Sequence, residues 1–285
     1  MTENTKQQVR EFYDQIGWSQ AGDGLYQNAR YEDLRPVSRE YIHKCHMRVK
    51  RYLAPQGFIL LDAGSGPVQW PEYLTYSEDY KYRLCADISI TALKEARDRL
   101  GDRGLYVVAD IANLPFKADA FDGVVSMHAI HHLPAEEHKK AYSELYRVMK
   151  NERRGVVVNG WDSPRLMQVM AVFVRPLRVI KSVLTRRQLP GFMKKKKARS
   201  VVLNTGTHIN KTDADWLRSE LAEVAPMEIY VWRSLSTRVL RILVHQWLGG
   251  YYFLKLVYWL EEHYPKFFGE NGQYPLIVIR KPRDG

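Results

Sequence analysis

The sequence is poor in cysteine and begins without an apolar run. Only two of its 285 residues are cysteine, Cys45 and Cys85, which is too few for a disulfide framework. No CxxC pair or Cys/His cluster predicts a zinc site, so we expect no metal. The first fifteen residues, MTENTKQQVREFYDQ, are polar and show no signal peptide. We therefore expect a cytoplasmic protein.

Acidic residues are absent from one long segment. Residues 163–212 contain twelve Lys or Arg and no Asp or Glu, whereas the whole chain has a net charge of +11. The positive charge thus belongs to this segment, and the rest of the chain is close to neutral. Such a segment is expected to seek a negative surface, such as phospholipid, nucleic acid or an acidic ligand.

Short apolar runs alternate with helical patterns over most of the chain. Five runs predict buried strands, at 58–63, 82–89, 105–110, 121–127 and 155–161. Helical patterns are found at 5–16, 38–52, after Ser89 as a helix N-cap, at 134–150 and at 211–224. Two further strands are predicted at 227–232 and 274–281. This alternation predicts an α/β fold with a doubly wound, mainly parallel sheet.

The first predicted strand ends abruptly in a Gly-rich turn, within ILLDAGSGPVQW (59–70). Gly64 and Gly66 would allow a ligand to approach the backbone closely, and Asp87, at the end of the second strand, could bind a ribose diol. A tight strand-to-helix turn without a ligand explains the glycines alone equally well. The turn lacks the third Gly of a dinucleotide-binding GxGxxG.

Three segments together, LLDAGSGP, CADIS and VVADIANLPFKADAFDGVVSMHAIHHL, resemble the class I S-adenosylmethionine (SAM)-dependent methyltransferases, especially the small-molecule, UbiE-like group (methyltransferase type 11). The resemblance covers roughly Phe58 to Trp161. It implies a seven-stranded Rossmann-like sheet whose last strand runs antiparallel to its neighbours. It also implies SAM as cofactor and S-adenosylhomocysteine (SAH) as product. Pro67 stands where the family usually has a third Gly.

The resemblance implies a methionine-binding part of the cofactor site. Gly64 and Gly66 would let the backbone contact the methionine moiety, and Asp62 would support the turn and the ammonium group. Ser126, at the end of the fourth strand, would approach the methionine from another side.

The resemblance also implies an adenosine-binding part. Asp87 would accept hydrogen bonds from the ribose hydroxyls, and Ile88 would pack on the adenine. Asp110 would accept a hydrogen bond from the adenine amino group, while the backbone of Ile111 would contact the ring.

Catalytic candidates lie in SMHAIHHLP. A neutral imidazole from His128, His131 or His132 could act as a base, although these residues could equally pack around the exit of the fourth strand. The N-terminal region, which often covers the cofactor in this family, offers residues for a cap or for the acceptor. These are Tyr13, Tyr26, Tyr31, Arg30 and Arg35.

The pattern divides the chain into four parts. We predict an N-terminal helical cap at 1–55, a SAM-binding core at 56–161, a basic helical insertion at 162–210, and a C-terminal part of the core at 211–285. The last part includes an aromatic helical insertion at 234–270. Within the basic insertion, residues after Pro176 have the pattern of a basic amphipathic helix that could lie on an anionic membrane. The stretch Arg175–Arg199 is thus a candidate membrane contact, and the two insertions could instead pack together as a lid.

Three functions remain open at this point. The favoured one is a methyltransferase for a small hydrophobic or lipid-like acceptor, peripheral on a membrane. The second is an RNA methyltransferase that holds phosphates with the basic segment, but no recognisable RNA-binding module flanks the core. The third is a non-catalytic SAM-binding partner protein.

Overall fold

Seven strands form one mixed sheet in the computed structural model, which describes residues 2–19, 26–172, 174 and 208–283. The strands are β1 (Gly57–Ala63), β2 (Tyr80–Asp87), β3 (Gly104–Val108), β4 (Gly123–Met127), β5 (Arg154–Val158), β6 (Met227–Arg233) and β7 (Tyr274–Arg280). Their order is β3-β2-β1-β4-β5-β7-β6. Strands β1 to β5 are parallel, and β7 is antiparallel to both β5 and β6. The predicted doubly wound seven-stranded fold is confirmed.

Helices cover the two faces of the sheet and its ends. They are α1 (Thr2–Phe12), α2 (Pro36–Met47), α3 (Pro71–Leu74), α4 (Ile90–Leu100), α5 (Ala135–Val148), α6 (165–172), α7 (Ala214–Leu221), α8 (Thr237–Leu243), α9 (Gly250–His263) and α10 (Pro265–Asn271). The predicted N-cap is confirmed, since the Ser89 hydroxyl accepts a hydrogen bond from the backbone N–H of Ala92. The first helix ends at Phe12, four residues earlier than predicted, and continues as a π-helical turn, Tyr13–Gly17.

The sheet is buried on both faces, which explains the continuous apolar runs. Leu61 packs on the side of α5 and α7, whereas its neighbour Leu60 packs on the side of α4. Because side chains alternate along a strand, a strand covered on both sides needs apolar residues at every position. The carboxyl ends of β1, β2, β3 and β4 therefore meet at one edge of a rigid platform, where ligands bind in such sheets.

A third apolar cluster joins the N-terminal region to the segment between β6 and β7. It contains residues of α2, α8 and α9, together with Val174. A buried ion pair lies beside it, with Arg48 Nη1 2.8 Å from Glu261 Oε2, and the Tyr41 hydroxyl donates to the same carboxylate at 2.6 Å. These contacts fix α9 against α2.

The predicted basic amphipathic helix within Arg175–Arg199 lies outside the described residues, and the four-part division stays a prediction. Helices α8, α9 and α10 lie between β6 and β7. Among the residues that the structure describes, none of the helices has both the length and the apolar character needed to cross a bilayer.

Candidate active site

A cavity with an empty volume of about 940 Å³ lies at the carboxyl ends of the parallel strands, under α1 and the turn that follows it. Nine of the predicted site residues line it: Tyr13, Gly64, Gly66, Asp87, Ile88, Asp110, Ile111, His128 and His132. They come from five separate stretches of chain, which the sheet brings together. The cavity is also lined by residues that were not predicted, among them Lys6, Trp18, Gln69, Tyr73 and Met127.

The Gly-rich turn after β1 requires glycine for two reasons. Gly64 and Gly66 have φ angles of +71° and +52°, a conformation that costs other residues about 1–2 kcal/mol. A Cβ on Gly64 would lie 2.2 Å from Ala129 Cβ, and a Cβ on Gly66 would lie 2.9 Å from the Trp18 ring. The turn thus brings bare backbone to the cavity wall, between Ala129 and Trp18.

Asp87 ties the turn to the second strand. Its carboxylate accepts hydrogen bonds from the backbone N–H groups of Gly66 and Ser89, both at 2.8 Å. Burial raises the pKa of Asp87 to about 6, against the effect of these two hydrogen bonds. A ligand that donates further hydrogen bonds to this carboxylate would stabilise its charged form.

Asp62 lies beneath the turn and outside the cavity. It is buried and accepts a hydrogen bond from Arg83 Nε at 3.1 Å and a second from Arg83 Nη2. Arg83 also donates to the carbonyl of Tyr73. The pair braces β1 against β2, and the roles of Asp62 in holding the turn and the ammonium group stay predictions.

Lys6 of α1 connects the N-terminal helix to the core at the predicted adenine-binding residue. Its Nζ lies 2.6 Å from Asp110 Oδ2 and 2.6 Å from Glu137 Oε2. Burial lowers the pKa of Lys6, but the two carboxylates outweigh this effect and raise it above its usual value. Asp110 Oδ2 also accepts from Asn113, and Oδ1 accepts from the backbone of Ala112. Because a carboxylate oxygen has two acceptor positions, Oδ1 keeps capacity for one more donor.

Tyr13 and His132 form a hydrogen-bonded pair inside the cavity. The Tyr13 hydroxyl lies 2.7 Å from His132 Nε2, and His132 Nδ1 lies 2.9 Å from the carbonyl oxygen of His208. Since a carbonyl oxygen only accepts, Nδ1 carries the hydrogen and Nε2 accepts from Tyr13. Burial lowers the pKa of His132 to about 4, so the imidazole is neutral near pH 7.

His128 reaches the cavity in a different way. It follows β4 with a φ of +56°, a strained conformation for a residue with a side chain. Its ring packs edge-on against Trp232 and Tyr274, with centroids 5.0 and 5.5 Å away. Burial and the nearby Arg233 guanidinium lower the pKa of His128 to about 3. Its imidazole is therefore neutral near pH 7 and forms part of the cavity wall.

The remaining candidates lie elsewhere. His131 is 3.3 Å from Asn159 Oδ1 and is not among the lining residues. Ser126 is buried in β4, with no hydrogen-bond partner for its hydroxyl within the described structure. The Tyr26 hydroxyl donates to Glu95 Oε2 at 2.9 Å, and Tyr31 is exposed outside the cavity.

Arg35 has a structural environment. Its guanidinium donates to the Asp33 carboxylate and to the carbonyl oxygens of Leu240 and Val244, at 2.7 to 3.0 Å. These contacts attach the start of α2 to α8, and they occupy the guanidinium that was a candidate for the cap or for the acceptor. The side chain of Arg30 lies outside the described residues.

Comparison with known proteins bears on this geometry. Residues 61–157 match the "Methyltransferase domain" family. The chain contains a class I methyltransferase domain. The matched residues run from within β1 to within β5 and include the Gly-rich turn and the three predicted histidines, so most of the cavity lining lies in this domain.

One curated relative of the methyltransferase domain is a tRNA (carboxymethyluridine(34)-5-O)-methyltransferase of Arabidopsis thaliana. It is 38% identical over 97 residues, which are 34% of this chain and 22% of the relative. The chain spans less than half the length of the curated relatives it matches.

Two solved structures share the fold over nearly the whole chain. Phosphoethanolamine N-methyltransferase 1 of Haemonchus contortus, solved with phosphoethanolamine and SAH, covers 100% of this chain with 51% of its own length, at a TM-score of 0.58 and 12% identity. The [4+2]-cyclase SpnF covers 98% of this chain with 97% of its own, at a TM-score of 0.53 and 18% identity. The fold is thus found in proteins with different reactions.

Proposed function

We propose that the protein transfers a methyl group from SAM to a small, largely uncharged acceptor bound in the cavity. The observation that carries the proposal is the convergence, in one cavity, of the bare Gly-rich turn, the Asp87 carboxylate and the Tyr13–His132 pair. The space of about 940 Å³ between the protein atoms includes a part that is open to solvent, so an acceptor could enter beside the cofactor.

The residues of the cavity fit SAM, the cofactor of this domain class. Gly64 and Gly66 bring bare backbone to the cavity wall, where it would meet the methionine part of SAM. Asp87 would accept hydrogen bonds from the ribose hydroxyls, Ile88 would pack on the adenine, and the backbone of Ile111 would contact the ring. SAM supplies a methyl group on a positively charged sulfur, which makes it reactive toward a nucleophile without a metal.

The chain's own residues would then orient the acceptor, exclude water and receive a proton. Helix α1 and the turn after it line the cavity beside the strand ends, where they would orient the acceptor and help to exclude water. His132 Nε2, neutral and hydrogen-bonded to Tyr13, would receive a proton through the Tyr13 hydroxyl when the acceptor carries one with a high pKa.

The nature of the lining supports an uncharged acceptor. Lys6 is paired with Asp110 and Glu137, so it is not available to hold a phosphate. No residue of the aromatic insertion 234–270 lines this cavity within the described structure. The insertion therefore does not contribute an apolar wall to the site. That the acceptor is hydrophobic or lipid-like is a proposal that rests on the residues of the cavity wall. Membrane association is a separate proposal.

RNA is the second candidate acceptor, because a relative of the domain is a tRNA methyltransferase by name and because residues 163–212 carry twelve positive charges without an acidic residue. A non-catalytic SAM-binding role is the third candidate, because the fold alone does not imply methyl transfer and also occurs in a protein named as a cyclase.

One experiment separates the three. The protein is incubated with methyl-labelled SAM and a cell extract, and the label is counted in the organic-soluble and nucleic-acid fractions, with Asp87→Ala as the cofactor-site control. Label in the organic phase that is lost in Asp87→Ala supports the proposal. Label in RNA would replace it with the second function. SAH binding by calorimetry without label in either fraction would favour the third.

A further inference from the structure

The outward face of α9 is aromatic where a helix on a protein surface is normally polar. Successive helical residues are about 100° apart, so Tyr252, Leu256 and Trp259 form one stripe. Their side chains are 75%, 54% and 51% exposed. The opposite side of the helix, with Leu254 and Val257, is buried against α2 and α8. The stripe thus points directly away from the core.

Further exposed apolar residues lie next to α9 along the chain. Trp247 and Leu248 lie in the turn before α9, and Phe267 lies in α10 after it. We call these six residues, Trp247, Leu248, Tyr252, Leu256, Trp259 and Phe267, the aromatic face. A run of exposed aromatic and aliphatic residues of this kind marks an interaction site rather than an ordinary surface.

We propose that the aromatic face docks on the surface of an anionic phospholipid bilayer. Trp and Tyr concentrate where a membrane meets water, because their rings are apolar and carry one polar group. Helix α9 has 14 residues, a length of about 21 Å, which is too short to span a bilayer core of about 30 Å. Its geometry instead suits a helix that lies in the plane of the interface.

Charge favours a bilayer over a second copy of the chain. Val174 follows α6 and packs in the same cluster as α9. The next 33 residues, 175–207, contain ten Lys or Arg and no Asp or Glu. Two copies joined at the aromatic face would each carry this positive charge, and like charges would oppose the contact. An anionic surface would attract them, by about 1 kcal/mol for each Lys or Arg that comes near it.

The side chains of the aromatic face also favour lipid over RNA. Bases stack on aromatic rings with basic residues interleaved, whereas Leu248, Leu256 and Phe267 offer aliphatic or ring surface without an adjacent run of Lys or Arg. The inference rests on the proposed function only in that a lipid-like acceptor would be met at a membrane. Vesicle binding itself is measured without methyl transfer.

The test is co-sedimentation of the full chain with vesicles of phosphatidylcholine, with and without phosphatidylserine. The variants are Leu256→Ser with Trp259→Ser and, as a matched control, Phe58→Ser, an exposed aromatic residue of β1. We expect binding to the phosphatidylserine vesicles, at least about tenfold weaker in the double variant and unchanged in the control. Brominated lipids should quench the tryptophan fluorescence of the wild type and quench the double variant less.

Other results overturn the proposal. Absence of vesicle binding in the wild type, or equal binding by the double variant, would mean that the aromatic face is not a lipid surface. A dimer in sedimentation velocity that the double variant dissociates would assign the face to self-association. SAH affinity, measured on the same variants, should be unchanged, so a failure here is distinguishable from a failure of the proposed function.

Discussion

The Tyr13 hydroxyl donates a hydrogen bond to Nε2 of His132 across 119 residues of sequence, at 2.7 Å. The Tyr13 ring is also stacked on Trp18, with centroids 5.0 Å apart. The pair therefore joins the π-helical turn after α1 to the 3₁₀ turn after β4, and it lies inside the cavity. Any acceptor next to the pair would meet a hydroxyl already hydrogen-bonded to a neutral imidazole.

Replacing Tyr13 with Phe removes this hydroxyl and keeps the ring. We expect methyl transfer to fall by about 10²-fold or more, the usual contribution of a positioned acid or base, while SAH affinity changes by less than about threefold. The measurements are label transfer and SAH calorimetry on Tyr13→Phe. Tyr82→Phe, which makes the same chemical change on β2, is the control. Unchanged transfer by Tyr13→Phe would remove the pair from the mechanism.

Asp87 should make cofactor affinity depend on pH. Burial raises the pKa of its carboxyl to about 6, and ribose hydroxyls that donate to it would bind the charged form more tightly. The affinity for the cofactor is therefore highest well above pH 6. It falls as the pH drops through 6, because the carboxylate takes up a proton. His132, with a pKa of about 4, stays neutral over this range.

Calorimetric titration with SAH from about pH 7.5 to 5 measures this effect. In Asp87→Asn the affinity should be low and nearly independent of pH, whereas Asp98→Asn, an exposed acid of α4, should behave like the wild type. A wild-type affinity that does not change with pH would mean that Asp87 does not bind the cofactor in its charged form.

Gly66 and Gly101 allow backbone strain to be separated from steric clash. Their φ angles are +52° and +56°, but a Cβ on Gly66 would lie 2.9 Å from the Trp18 ring, whereas a Cβ on Gly101 would meet nothing within 4 Å. Both Gly→Ala variants should lose about 1–3 kcal/mol of unfolding free energy, because alanine rarely adopts a positive φ angle. Only Gly66→Ala should also lose SAH binding, by at least about tenfold.

Chemical denaturation measures the unfolding free energy of each variant, and calorimetry measures its affinity for SAH. If Gly101→Ala lost SAH binding as severely as Gly66→Ala, strain transmitted through the fold, and not the turn at the cavity, would explain the effect.

The sequence predicts the sheet and the cofactor side of the cavity because both follow from local patterns. Gly66 follows the end of β1, Asp87 ends β2, and Asp110 follows β3. Parallel strands bring these ends to one edge. The prediction needs only strand positions, and those are set by continuous apolar runs.

The sequence cannot assign the histidines or the closure of the cap. Consecutive residues in a 3₁₀ turn point about 120° apart, so His131 and His132 face different surroundings. Of these two, only His132 lines the cavity. No local sequence pattern marks Lys6 as a site residue, because its partners Asp110 and Glu137 are 104 and 131 residues away. The aromatic insertion contains apolar residues on both sides of α9, so its pattern does not tell the buried side from the exposed one.

Lys6 should control how fast the cofactor leaves. It is the point where α1 is held to both Asp110 and Glu137, and its side chain is only 14% exposed. Lys6→Met keeps the apolar stem and removes the charge, so it breaks both ion pairs and leaves two carboxylates under the cap. A partly buried pair of this kind is worth about 1 kcal/mol, so we expect SAH to dissociate roughly fivefold faster in stopped-flow displacement.

Lys50→Met, which breaks the ion pairs with Glu78 and Asp79 away from the cavity, should leave the rate unchanged. Equal dissociation rates for Lys6→Met and the wild type would show that the stacked Tyr13 and Trp18 rings hold the cap without the ion pairs.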